Sequence, residues 1–151
     1  GDVDLAIGRA AVAAGVSDDD TSSFARRMMT GQAAENFFEE NYKDVDRFRD
    51  CAVQRTTALG CGFDFKLMPP EEDFLAVEVK GLRTPSGQIQ LTEKEFKMAR
   101  YLSNRFYLYV VTDFAHSPKP VVIDNPLFAG ITFEERTVKS EQRVWVAQID
   151  A

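Results

Sequence analysis

Residues 74–80 read Phe74-Leu75-Ala76-Val77-Glu78-Val79-Lys80, and the fold turns on this stretch. In a strand, side chains two positions apart point the same way. Leu75, Val77 and Val79 can therefore face a core, while Glu78 and Lys80 stand together on the opposite side. Buried charges cost several kcal/mol each unless they are paired. A strand that places a carboxylate and an ammonium on one face is therefore costly as scaffolding, which points to chemistry there.

Upstream, Phe63, Phe65 and Leu67 alternate with Asp64, Lys66 and Met68, so a second strand is expected here, joined to the first by a turn at Pro69-Pro70-Glu71-Glu72-Asp73. So short a connection predicts an antiparallel pair with Asp64 near Glu78. Two convergent carboxylates suit a hard divalent cation such as Mg²⁺, which takes few protein oxygens and keeps several waters. The metal polarises a phosphoryl oxygen, and a lysine beside it can orient or deprotonate the attacking water. Asp64, Glu78 and Lys80 are thus the candidate catalytic set, with Asp64 and Glu78 as metal ligands.

Further along, Gly81 to Gly87 reads as a loop. Thr92-Glu93-Lys94-Glu95 opens a helix, with Thr92 and Glu95 spaced for a capping box. Residues 105–114 ("RFYLYVVTDF") read as a third strand. "PKPVVID" and "QRVWVAQI" read as two more. Before the first strand, residues 4–16 and 17–31 read as helices, the second stopping at Gly31. Residues 32–48 read as another, with Ala34, Phe37, Phe38, Tyr42 and Val45 at helical spacing. The order of elements fits an α/β domain around one central mixed sheet, residues 31–151, preceded by a helical extension over residues 1–30.

Composition sets the outer bounds. The chain has 151 residues, 44% hydrophobic and 28% charged, as in soluble globular proteins. No apolar run approaches the ~20 residues that span a bilayer, so no membrane partner is expected. Cys51 and Cys61 lack CxxC spacing and read as reduced thiols, implying a cytoplasmic protein, or a nuclear one in a eukaryote. Opening on Gly1-Asp2, the chain reads as a domain excised from a larger protein. The net charge of −6 argues against a generic nucleic-acid coat protein. Its distribution is uneven: residues 1–50 carry eleven acids and six bases, residues 76–110 three acids and six bases. Arg83, Lys94, Lys97 and Arg100 are therefore candidates to hold a phosphodiester strand, and Gln90 to hold a phosphate or water. A single histidine, His116, gives little support to a zinc site or a histidine triad.

"GFDF" at 62–65 followed by "FLAVEVKG" at 74–81 resembles the core motif of the PD-(D/E)xK nuclease superfamily, the restriction-endonuclease-like fold. With Gln88 to Phe96 and the strand Tyr107-Leu108-Tyr109-Val110-Val111, residues 31–123 resemble the family named after the C-terminal region of the plant NO VEIN protein. Its members are often fused to helicase, ATPase or restriction-type domains. Asp64 matches the first acid, Glu78-Val79-Lys80-Gly81 the acid–x–lysine element, and Leu91-Thr92 with Glu95 the family's Leu-Thr…Glu segment. Glu35 stands in the place of the superfamily's first-helix glutamate. Phe63 occupies the place of its usual proline. The resemblance implies Mg²⁺-dependent cleavage of DNA, with Mn²⁺ able to substitute. Glu35 would join the metal ligands, together with the Val79 carbonyl. RNA stays open as a substrate, and many enzymes of that fold pair two copies, so a homodimer is allowed. The rival expectation is a non-catalytic module of the same fold that binds nucleic acid or protein.

Overall fold

Strand β3, Leu75–Gly81, occupies the middle of a five-stranded mixed sheet in the computed structural model, which describes residues 18–138 and 142–151 and side chains from residue 30 onward. The chain order is α1 (Asp18–Asn41), β1 (Ala52–Arg55), β2 (Phe65–Met68), β3, β4 (Ser86–Thr92), α2 (Glu93–Leu102), β5 (Phe106–Thr112), β6 (Lys119–Asp124), β7 (Glu134–Val138) and β8 (Gln142–Asp150). The central sheet runs β1-β2-β3-β5-β6. Only the β3–β5 pair is parallel; β2 lies antiparallel to β3, with Phe65 opposite Val77 and Leu67 opposite Leu75. The expected α/β layout around a central mixed sheet is the one the chain adopts.

The alternation in β3 sorts its side chains as read. Leu75, Val77 and Val79 join Ala34 and Phe38 of α1, Phe65, Leu67 and Tyr109 in one core. Phe38 is its centre, with its ring 4.6 Å from Phe65 and 4.8 Å from Tyr109. Burying a ring of that size stabilises the fold by about 1.5–3 kcal/mol. Strand β5 is buried along its whole length, as an interior strand covered on both faces must be.

The opposite face meets a second, three-stranded antiparallel sheet, β4-β8-β7. Ile89 and Leu91 of β4 and Trp145, Ala147 and Ile149 of β8 pack with Ala76, Leu108 and Val110 in a second core. The expected single sheet is therefore two, and strand β4 begins inside the stretch read as a loop. Trp145 is core, stacked on Phe96 at 4.4 Å.

Three further expectations change. Helix α1 continues through Gly31, because Thr30, Ala34 and Phe38 bury one side of it on both sides of that residue. It stops at Asn41, and two 3₁₀ turns, Tyr42–Asp44 and Asp46–Phe48, replace the expected helix end, because Val45 between them is extended. Phe63 does not share a face with Phe65: it stacks on Phe74 in the second core, since Gly62, at φ +92°, turns the chain before β2 begins. The helix expected over 4–16 lies outside the described residues. No helix among the described residues is long and apolar enough to cross a membrane.

Candidate active site

Along β3, Ala76, Glu78 and Lys80 share a face that passes from the second core into a cleft. Ala76 is fully buried and Glu78 is 3% exposed, while the Lys80 side chain reaches 21%. The cleft has a volume of about 930 Å³, and its walls include Glu35, Asp64, Glu78, Val79, Lys80, Arg83 and Gln90.

Asp64 reaches the cleft by ending a ladder. One step before Phe65, it uses side-chain Oδ2 to accept the Val79 N–H at 2.9 Å, a job that a neighbouring strand's carbonyl performs elsewhere in the sheet. The Thr57 hydroxyl lies between two carboxylates, 2.6 Å from Glu35 Oε1 and 3.2 Å from Asp64 Oδ1. Thr57 thereby ties α1 to the start of β2. Arg55 balances the outer side of Glu35, at 3.3 Å, and also pairs with Glu39 at 3.1 Å.

The ammonium of Lys80 sits between two acids, 3.1 Å from Glu78 Oε2 and 2.9 Å from Glu95 Oε1. Burial works against its charge, but Glu78 and Glu95 outweigh burial and hold the Lys80 pKa above the usual lysine value. As arranged here it is a cation that donates to both acids. Burial pushes the Glu78 carboxyl well above its ordinary range, against the pull of Lys80; the charges of Glu95 and Asp64 add to the rise. Asp64 is raised by burial as well, and the Val79 N–H and Lys80 oppose this.

Among the described residues, no three His, Cys, Asp or Glu groups are gathered as a ready-made metal cage. The donor chemistry nevertheless fits Mg²⁺. Glu78 Oε1 is buried without a hydrogen-bond partner, and an acceptor in that state is costly unless a cation or donor meets it. Mg²⁺ needs only one or two protein carboxylates, the remaining positions being water or substrate oxygens.

The structure divides the expected strand-holding residues. Arg83 and Gln90 line the cleft. Lys94 donates to the Gly60 carbonyl, Lys97 pairs with Glu93 at 3.3 Å, and Arg100 lies over the Phe96 ring; none of these three borders the cleft. The role of Glu95 is larger than read. It completes the capping box, accepting the Thr92 N–H at 3.1 Å, and the same oxygen holds Lys80. Thr57 and Arg55 carried no signal in sequence.

A family model described as "Protein NO VEIN, C-terminal" matches residues 34–123, three-fifths of the chain and the part that carries Glu35, Asp64, Glu78, Lys80 and Glu95. The chain belongs to that family. The matched region runs from Ala34 within α1 to Ile123 in β6, and β7 and β8 lie beyond it. A comparison with curated proteins gives no match. Among solved structures the chain is similar to Hjc, a Holliday junction resolvase of the archaeal hyperthermophile Archaeoglobus fulgidus. The identity is 15%, with 77% of this chain and 86% of that one covered, and the TM-score is 0.44. It is also similar to a nuclease from a fusselovirus, at 10% identity over 81% of each chain and a TM-score of 0.46.

Proposed function

We propose that this NO VEIN C-terminal-type domain is a Mg²⁺-dependent phosphodiesterase acting on DNA, an effector domain of restriction, defence or DNA maintenance. One observation carries the reading: Asp64, Glu78 and Lys80 meet in a single cleft, and the buried Glu78 Oε1 has no hydrogen-bond partner there. Asp64 and Glu78 would hold the ion, with Glu35 and the Val79 carbonyl as further oxygens. A bound Mg²⁺ supplies charge neutralisation at the phosphoryl group and makes the attacking water more acidic. Lys80, kept as an ammonium, donates to that water or to a non-bridging phosphate oxygen and offsets the negative charge that grows at phosphorus. Arg83 and Gln90 position the strand on the cleft wall without specifying sequence. The family's habit of fusion points to a helicase, ATPase or recognition domain as the partner that delivers the substrate.

The test is cleavage of plasmid, linear duplex and single-stranded DNA, with an RNA arm, in Mg²⁺, in Mn²⁺ and in EDTA. Cleavage that needs the metal and disappears in both Glu78→Gln and Lys80→Ala is the expected result. Binding of DNA without cleavage under every metal condition would instead identify a non-catalytic interaction module.

A further inference from the structure

Lys80 has two counter-ions where the proposed chemistry leaves only one available. Glu78 offers Lys80 its Oε2 at 3.1 Å, and Glu95 offers Oε1 at 2.9 Å. The two acids differ in what else they can do. Glu78 is buried on β3 with its second oxygen turned to no donor. Glu95 is fixed at the first turn of α2 by a reciprocal pair of bonds: its Oε1 accepts the Thr92 N–H at 3.1 Å, and Thr92 Oγ1 accepts its N–H at 3.2 Å.

We propose that Glu95 is a positioning residue that keeps Lys80 in the cleft while Glu78 is engaged with a divalent cation. This rests on the metal-site reading above. A cation at Glu78 draws on the same carboxylate that Lys80 touches, and two positive charges are then neighbours. Were Glu78 the sole partner of Lys80, each ion bound would strand an ammonium in a partly desolvated cleft. Glu95 removes that conflict, because its charge stays with Lys80 whichever way Glu78 is used. The capping box adds rigidity: the glutamate cannot swing away without leaving the Thr92 N–H at the helix start unpaired. Lys80 is thus held from the α2 side independently of Glu78.

The experiment is calorimetric titration of the intact chain with Mn²⁺, with no DNA present, on wild type, Glu95→Gln, Lys80→Met and the double variant. Glutamine at this helix position also closes a capping box, so Glu95→Gln keeps the cap and removes the charge alone. Its expected effect is about tenfold weaker Mn²⁺ binding in the wild-type background, and no further loss when Lys80 is already methionine. Equal weakening in both backgrounds would mean that Glu95 acts on the ion directly through space, and it would overturn the proposal. Unchanged or tighter binding by Glu95→Gln would overturn it too, leaving Glu95 a helix cap only. Wild type that binds no Mn²⁺ would bring down the metal-site reading itself, and this inference with it.

Discussion

Asp64 Oδ2 accepts the Val79 N–H at 2.9 Å, so a candidate metal ligand is also the terminal acceptor of the β2–β3 ladder. The double duty separates two substitutions. Asparagine retains a carbonyl oxygen for the amide, so Asp64→Asn should unfold within about 1 kcal/mol of wild type. Alanine leaves a partly buried N–H without its acceptor and should cost about 1–3 kcal/mol. Both should abolish any rise in melting temperature on adding Mn²⁺, since stabilisation by a ligand requires a site in the native state. Urea unfolding in EDTA and thermal melts with and without Mn²⁺ measure the two effects. Equal stability of the two variants would show that the Asp64–Val79 bond contributes nothing.

Glu78 predicts an uncommon pH dependence. Its folded carboxyl binds its proton more tightly than in the unfolded chain, where the ordinary value is 4.5. From about pH 4.5 upward the unfolded chain has released that proton while the folded chain still holds it. Stability from this group therefore falls as pH rises through that window, and levels off once folded Glu78 ionises. Glu78→Gln removes the slope. The variant's stability relative to wild type, followed by urea unfolding in EDTA, should grow with pH from about 4.5. A relative stability that shrinks instead would mean that Lys80 holds Glu78 ionised from low pH.

Gly81, the residue after Lys80, is set by packing. A Cβ there would lie 2.7 Å from Thr30 Cγ2 and 2.9 Å from the Thr30 carbonyl oxygen of α1. Since part of the clash is with backbone, Gly81→Ala should force helix and strand apart and cost about 1–3 kcal/mol. Chemical denaturation measures that cost. Adding Thr30→Ser removes the methyl contact and should recover only a fraction, because the carbonyl remains. Full recovery would place the whole clash in the Thr30 side chain.

The site was legible where a local pattern coincides with the chemistry. Ala76-Val77-Glu78-Val79-Lys80 alternates as a strand, and the brevity of its turn to Asp64 brought the two acids together. Thr92 and Glu95 announced the start of α2, and the aromatic and branched residues of β5 announced a strand. What stayed hidden depends on contacts distant in sequence. Strand β4 has just two core residues, Ile89 and Leu91, between exposed glutamines, and follows Thr84-Pro85-Ser86-Gly87, which reads as loop. Strand β7 is almost wholly exposed. Both are strands because the long apolar β8 pairs with each. The helix crosses Gly31 because packing of Ala34 and Phe38 outweighs the ~1 kcal/mol cost of a helical glycine. The Lys80–Glu95 contact spans fifteen residues and two elements, so capping was the only role its spacing could reveal.

Placement also separates the basic residues that the sequence grouped together. Arg83 lines the cleft, whereas Lys97 stands outside it and already pairs with Glu93. If duplex DNA lies along the cleft, Arg83→Ala removes one phosphate contact: binding weakens for every sequence alike, and the slope of log affinity against log salt becomes shallower by about 0.9. Lys97→Ala should leave both quantities near wild type, since the surface pair it breaks is worth little. Fluorescence anisotropy with a labelled duplex, in EDTA to prevent cleavage and over a range of salt, measures affinity and slope together. The reverse pattern, with Lys97 changing the slope and Arg83 not, would move the bound strand off the cleft and onto the exposed side of α2.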